Sequence, residues 1–271
     1  MNNYYTIFGN TGFIGNNLLS YCKKKKYKVF LPKKGKYIYK KNLGHIIYCM
    51  GTGEAKINPI KAFKANLLGV IKIIFNNKFD SFTYISTTRV YLFNKNSAED
   101  KERSVNVVTD EGSLFNLLKL SAEKILIQSK KNIKIIRLTN VYGKFFSKQK
   151  YLLPNLIRNS LIKKKIIISI NKNSLKDYLH IDEAMPFFFK IINKSKYKIY
   201  NIAGSKRYKI KDIANEIKKN TSCEVVYENQ KLIINDQKIN INRIKREFNF
   251  NPKRNLLSDL KIIIKDIRSR L

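Results

Sequence analysis

The chain has no tryptophan, two histidines, three cysteines and five prolines in 271 residues, and only 19 acidic side chains. Each shortage removes a class of protein. Two histidines and scattered thiols do not furnish an ordinary metal site. Cys22, Cys49 and Cys223 are odd in number and far apart, which points to neither a disulfide framework nor a metal cluster and suits a reducing cytoplasm. Long hydrophobic runs are also missing. The longest apolar stretches, Ile166 to Ile170 and Pro186 to Phe189, fall far short of the roughly 20 residues of a membrane helix. The N-terminus lacks the basic, apolar and small-residue progression of a signal peptide, so a cytoplasmic location is expected.

The scarcity of acid leaves 55 lysines and arginines, a formal net charge of +36. Such a balance suggests a polyanionic partner. Yet lysine, asparagine and isoleucine run from end to end, as AT-rich codon usage would produce, and no nucleic-acid motif accompanies them. No specific nucleic-acid partner is therefore expected. A basic surface still steers small anions such as nucleotide diphosphates.

What is present is an alternation of strand and helix patterns. Tyr4 to Phe8 reads as a buried strand, followed by a glycine-bearing turn and an amphipathic helix through Asn16 to Lys24. Strands follow at Tyr27 to Leu31, His45 to Met50, Phe82 to Ser86 and Ile133 to Leu138, with helices at Ala62 to Asn76 and Ser113 to Ser129, Ser113 being the N-cap candidate. This order implies an α/β fold: a Rossmann-type, doubly wound parallel sheet with ligands at the carboxyl ends of its strands. Residues 1–143 are expected to form the NAD(P)-binding domain and 144–271 mainly a small C-terminal substrate-binding lobe, the chain returning to the sheet near 176–204. After Gly143 the pattern loosens into basic loops. Helices are then expected at Pro154 to Lys163, Tyr208 to Lys219 and Leu257 to Arg268, with a strand at Ile166 to Ile170.

Between the first strand and first helix stands Gly9-Asn10-Thr11-Gly12-Phe13-Ile14-Gly15, a G-x-x-G-x-x-G loop. One glycine makes the tight turn, one lets the backbone approach a pyrophosphate, and one permits close helix-sheet packing. The helix N-terminus offers N–H groups and a favourable dipole to phosphates. Gly9, Thr11, Gly12, Phe13, Ile14 and Gly15 are thus the expected dinucleotide contacts. An acidic residue at the end of the second strand would bind a free ribose 2′-hydroxyl. Here Lys33 and Lys34 stand instead, favouring a 2′-phosphate and hence NADP over NAD.

A further set of segments, in order, carries a more specific resemblance: IFGNTGFIGNNLL at 7–19, HIIYCMG at 45–51, KANLLGV at 64–70, YISTTRVY at 84–91, KLSAEKIL at 119–126, IIRLTNVYG at 135–143, KDYLHIDEA at 176–184 and YNIAG at 200–204. The closing INRIKREFNFNPKRNLLSDLKIII fits as well. The chain resembles the extended short-chain dehydrogenase/reductase family of nucleotide-sugar epimerases, dehydratases and ketoreductases over nearly its whole length.

The resemblance implies hydride transfer between nicotinamide and a sugar carbon, with a tyrosine hydroxyl moving the matching proton. Tyrosine's ordinary pKa of about 10 is too high for a base at neutral pH. A lysine ammonium nearby favours the phenolate and binds the nicotinamide ribose, while a Ser or Thr hydroxyl holds the substrate oxygen. In this sequence Thr87 fills the hydroxyl role and Lys119 the lysine role. Four residues before Lys119, one turn away on the same helix face, stands Phe115. It keeps the ring and lacks the hydroxyl. Leu118 replaces a common serine. Three explanations stay open for Phe115: an engineered substitution, a natural loss of activity, or a changed mechanism.

Tyr21, Tyr37 and Tyr91 also begin Tyr-x-x-x-Lys matches, but none leads into the Ala-Glu-Lys run that marks the helix. Tyr91 and Tyr142 are secondary candidates for proton delivery through water. By the same resemblance Asn140 can orient the sugar or its diphosphate, and Lys176 can meet a diphosphate as a point charge. His180 and Asp182 read as bracing. Thr88 and Arg89 stand where dehydratases carry an Asp-Glu pair, which disfavours dehydration and leaves Thr88 with Thr87 as substrate contacts. The expected function is NAD(P)-dependent epimerisation or 4-ketoreduction of a nucleotide-diphosphate sugar for surface polysaccharide. The alternative is an inactive dinucleotide- or nucleotide-sugar-binding scaffold. Homodimerisation is left open.

Overall fold

The computed structural model describes residues 4–101, 103–107, 112–143, 151–204, 206–228, 230, 233 and 235–271. The basic loop expected after Gly143 falls largely at 144–150, outside the described residues. Two compact units are formed: Met1–Leu138, Met185–Ile202 and Ile239–Phe250 in the first, and Thr139–Ala184, Ala203–Lys238 and Asn251–Leu271 in the second.

The first unit is built on β1 (Tyr4–Phe8), β2 (Lys28–Phe30), β3 (His45–Tyr48), β4 (Ser81–Thr87), β5 (Ile133–Leu138) and β9 (Ile199–Ile202). They form one sheet in the order β2-β1-β3-β4-β5-β9, with every adjacent pair parallel. Apolar β-branched runs suit strands covered on both faces. Ile7, Ile46, Ile47, Ile85, Ile135 and Ile136 are accordingly buried. After β1 the chain pairs on one side as β2 and then on the other as β3, which makes the β1/β3 gap the switch point where such sheets take ligands.

Helix α1 (Phe13–Lys24) follows β1; α2 (Pro59–Phe63) and α3 (Gly69–Asn76) are joined by a π-helical turn at Lys64–Leu68. Two tyrosines pull on that turn: Tyr48 Oη donates to the Ala65 carbonyl at 2.6 Å and Tyr84 Oη to the Asn66 carbonyl at 3.1 Å. A Cβ on Gly69 would collide with the Tyr48 hydroxyl. The single helix expected over Ala62 to Asn76 is therefore interrupted, as π-turns at functional sites often are.

Helix α4 (Ser113–Gln128) is capped by Gly112, so Ser113 is its first residue and not its cap. A buried carboxylate docks it on the sheet. Glu123 Oε1 accepts from Ser86 Oγ at 2.5 Å, and Arg137 Nη2 pairs with Glu123 Oε2 at 2.6 Å. Arg137 Nη1 donates to Tyr91 Oη at 2.9 Å, and Tyr91 donates in turn to Asn201 Oδ1 at 2.6 Å, tying β4, β5 and β9 together. The part of α6 (Ile181–Lys194) counted in this unit brings Phe189 against Tyr21, stacked at 4.8 Å, and edge-on to Tyr5 at 5.1 Å.

In the second unit β6 (Asn140–Tyr142) lies parallel to β8 (Leu175–His180), which pairs antiparallel with β10 (Arg207–Lys209). β7 (Lys165–Ile168) pairs in parallel with β11 (Glu224–Tyr227). Helices α5 (Leu152–Ile162), α7 (Ile210–Thr221) and α9 (Leu256–Arg268) complete it, while α8 (Asn242–Phe248) belongs to the first unit. The helix expected from Tyr208 begins only at Ile210, because Arg207, Tyr208 and Lys209 enter a ladder opposite Asp177, Lys176 and Leu175. No helix among the described residues is long and apolar enough to cross a membrane.

Removing one member of a buried ion pair strands the other charge at a cost of about 3–5 kcal/mol. Glu123→Ala should lose that much unfolding free energy in urea titration, and adding Arg137→Met should return most of it.

Candidate active site

The glycine loop turns where the sequence expects. Gly9 sits at φ +94°, a region that favours glycine, and a Cβ there would stand 2.7 Å from the Met50 nitrogen at the end of β3. A Cβ on Gly15 would collide with the Gly9 carbonyl oxygen, so α1 packs on its own loop. Gly12 differs: its added Cβ would meet only the Gly9 oxygen, at 3.4 Å. The fold has room for a side chain there. Thr11 and Gly12 are exposed and Ile14 half-buried, whereas the Phe13 side chain is buried. Phe13 can thus face a ligand only through its backbone. Lys33 and Lys34 are exposed in the turn after β2, closed by a bond from the Lys36 N–H to the Lys33 carbonyl at 3.1 Å.

At the ends of β3 and β4 a second group assembles. Thr87 closes β4, and its Oγ1 accepts the Arg89 N–H at 3.1 Å, which leaves the hydroxyl proton to donate elsewhere. Thr88 begins the 3₁₀ turn that follows and is half-buried. Lys119 on α4 is 5% exposed; its Nζ donates to the Ile85 carbonyl at 2.9 Å and lies 4.7 Å from the Tyr84 ring and 5.8 Å from the Phe115 ring. Burial lowers the Lys119 ammonium to about 8, against the opposing pull of Glu123.

Phe115, one helical turn before Lys119, has an apolar setting. Its half-buried ring packs on an apolar cluster of Ala55, Ala62 and Leu118. The sequence also gave no role to Gly51 or Asn66, although both lie in the segments that carry the resemblance. A Cβ on Gly51 would stand 2.8 Å from Asn66 Oδ1 and 3.3 Å from Lys119 Nζ. Asn66 is wholly buried, its Nδ2 donates to the Thr52 carbonyl at 2.9 Å, and its Oδ1 has no protein partner. A glycine after a strand and an asparagine inside a helix were the available signals.

The two secondary proton donors are engaged in structure. Tyr91 is completely buried between Arg137 and Asn201. Tyr142, also buried, donates to Asp259 Oδ2 at 2.7 Å. Neither hydroxyl faces solvent.

In the second unit Asn140 and Lys176 are brought together on one carboxylate, Asp236, at 3.1 and 3.0 Å. Nothing in the sequence had singled out Asp236. His180 is buried edge-on to Tyr142, with ring centroids 5.0 Å apart, and its Nδ1 accepts the Asp182 N–H at 3.2 Å. Burial and then Arg254 lower its pKa, which keeps the ring a neutral brace. Among the described residues no three His, Cys, Asp or Glu side chains gather as a metal site would require.

The model of the NAD dependent epimerase/dehydratase family matches residues 5–203. The chain belongs to this family. A dTDP-D-glucose 4,6-dehydratase from Dictyostelium discoideum is 29% identical over 175 residues, 58% of this chain and 40% of that protein, so the match spans well under half of the relative's length. The family fold is also met in solved structures. A tyrosine-to-phenylalanine variant of UDP-glucuronic acid 4-epimerase from Bacillus cereus, in complex with UDP-4-deoxy-4-fluoro-glucuronic acid and NAD, matches with TM-score 0.80 at 18% identity, over 98% of this chain and 99% of that one. RMD from Pseudomonas aeruginosa complexed with NADPH matches with TM-score 0.78 at 17% identity, over the same shares. At these identities the likeness is one of fold: a Rossmann-type parallel sheet.

The buried lysine supplies a test of the site. An unfolded lysine titrates near 10.4, whereas Lys119 does so at about 8, so between these values the unfolded chain binds more protons. Stability from this group is therefore lowest below pH 8 and rises towards pH 10.5. Thermal unfolding of the wild type and Lys119→Met across pH 7–10 should show the wild type gaining on the variant above pH 8. Parallel curves would contradict a buried ammonium.

Proposed function

We propose that this protein binds NAD(P) on the Gly9–Gly15 loop and a nucleotide-diphosphate sugar beside Thr87, as an epimerase or 4-ketoreductase of surface-polysaccharide sugars would. Phe115 stands in place of its proton-transfer hydroxyl. The observation that carries this reading is the survival of the machinery around the gap. Lys119 is buried, held on the Ile85 carbonyl, and one turn from Phe115.

A dinucleotide fits what the chain offers. The open face of Gly12 suits close approach of a pyrophosphate, and the buried, unpartnered Asn66 Oδ1 beside Gly51 and Lys119 suits a donor such as a ribose hydroxyl. When bound, nicotinamide supplies hydride exchange with the sugar carbon. Lys119 would hold the ribose side and Thr87 would donate to the sugar oxygen. Lys33 and Lys34 favour NADP, since a ribose 2′-phosphate would meet ammonium groups with no carboxylate in that turn.

One observation favours binding without fast turnover: Phe115 and Leu118 share an apolar cluster, and Tyr91 and Tyr142 are committed elsewhere. Loss of a general acid/base costs about 10²–10⁴-fold in rate and leaves binding largely intact. Incubated with UDP- and dTDP-sugars and either cofactor, Phe115→Tyr should turn over about 10²–10⁴-fold faster than the chain as it stands. A tyrosine form that binds cofactor yet stays inactive across the panel would leave the scaffold reading in possession.

The phosphate loop is tested separately by calorimetry with NAD and NADP. Gly12→Val should keep its melting temperature to within a few degrees, since little protein lies near its Cβ, and should lose dinucleotide affinity. Unchanged affinity would sink the assignment.

A further inference from the structure

In the second unit, two residues expected to meet the nucleotide sugar already share a ligand from their own chain. Lys176 Nζ donates to Asp236 Oδ1 at 3.0 Å. Asn140 Nδ2 donates to Asp236 Oδ2 at 3.1 Å and also to the Asp177 carbonyl at 2.9 Å. The Asp177 N–H adds a third bond to the same carboxylate at 3.1 Å. Asp236 is itself held along β8. Its N–H donates to the Leu175 carbonyl at 2.8 Å, and its own carbonyl accepts from Arg207 Nη1 at 3.0 Å. Asn235 Oδ1 accepts the Leu175 N–H at 2.8 Å, fixing the preceding residue as well. The carboxylate is a fixture of the sheet edge.

An asparagine side chain has two N–H donors and one oxygen acceptor. Asn140 spends its nitrogen on two acceptors, and the reversed amide would turn its oxygen towards a carbonyl and a carboxylate. Its orientation is therefore dictated by the network. What the exposed Asn140 side chain has left to offer is Oδ1, an acceptor. Phosphate oxygens are acceptors too and need donors. An anion brought to the Lys176 ammonium would also meet the Asp236 charge beside it, which opposes binding.

We infer that Asp236 is a specificity-determining residue. By taking up donors of Asn140 and Lys176 it makes this part of the site select an uncharged, donor-bearing group, a sugar hydroxyl or amide N–H received by Asn140 Oδ1, and reject phosphate. The inference rests on the reading that a nucleotide sugar binds this chain. Lys176 then differs from the diphosphate role expected of it, and Asn140 keeps the sugar and not the diphosphate of its two expected ligands.

The test is calorimetric titration of the full chain with UDP and with inorganic pyrophosphate. Lys176→Met should change UDP affinity by less than about threefold, as for a charge already neutralised by a neighbour. Asp236→Ala should tighten pyrophosphate binding by about tenfold, since it releases the donors of Lys176, Asn140 and the Asp177 N–H and removes a like charge. A larger loss of UDP affinity in Lys176→Met overturns the inference, and so does pyrophosphate binding that is unchanged or weaker in Asp236→Ala. If circular dichroism shows that Asp236→Ala fails to fold, Lys176→Met decides alone; if the wild type takes up no UDP, pyrophosphate on Asp236→Ala decides. NAD titration of the same samples separates the two readings: its failure counts against the dinucleotide fold's function and leaves the Asp236 result to be judged by itself.

Discussion

A single buried carboxylate sets the geometry of the first unit. Glu123 accepts from Ser86 on β4 and pairs with Arg137 on β5. This fixes both the seat and the rotation of α4 on the sheet. Helical spacing does the rest, because Phe115, Lys119 and Glu123 are four residues apart and share one face. With Glu123 anchored, Lys119 is carried to the Ile85 carbonyl, with the Phe115 ring 5.8 Å from its ammonium. The carboxylate also favours the charged form of Lys119 against its desolvation. Glu123 thus both docks the helix and opposes the desolvation of Lys119, and Arg137 extends its reach through Tyr91 and Asn201 to β9.

The parallel sheet was legible because its information is local. Apolar strand runs, a glycine turn and helical periodicity each act within a few residues, and β1 and β5 stand where these patterns put them. Elements defined by distant partners were not legible. Arg207 to Lys209 join a strand only because β8 lies beside them, and the interruption at Lys64–Leu68 depends on hydroxyls from Tyr48 and Tyr84. The same division holds at the site. Gly9 and Gly15 could be read from spacing and Lys119 from the family resemblance, whereas Asp236 is 60 residues from Lys176 along the chain and its contact appears only when both meet.

Phe115 and Leu118 of α4 share one packing environment. Leu118 is buried with Ala55 and Ala62, and Phe115, three residues before it, packs against the same cluster. A phenol at 115 would bring a polar group to the edge of that cluster, and a serine at 118 would place a hydroxyl in it. Apolar side chains at both positions leave no polar group there in need of a partner.

The architecture that would bind ligand is independent of the missing group. Gly9 and Gly15 are fixed by backbone contacts at the ends of β1 and β3, Thr87 by its bond to the Arg89 N–H, and Lys119 by Ile85. None of these restraints passes through the para position of residue 115. Interactions that would act only in a transition state are separate from those that set ground-state geometry. The buried lysine, the strand-end threonine and the glycine turn therefore keep their places whatever group stands at the far end of the ring at 115.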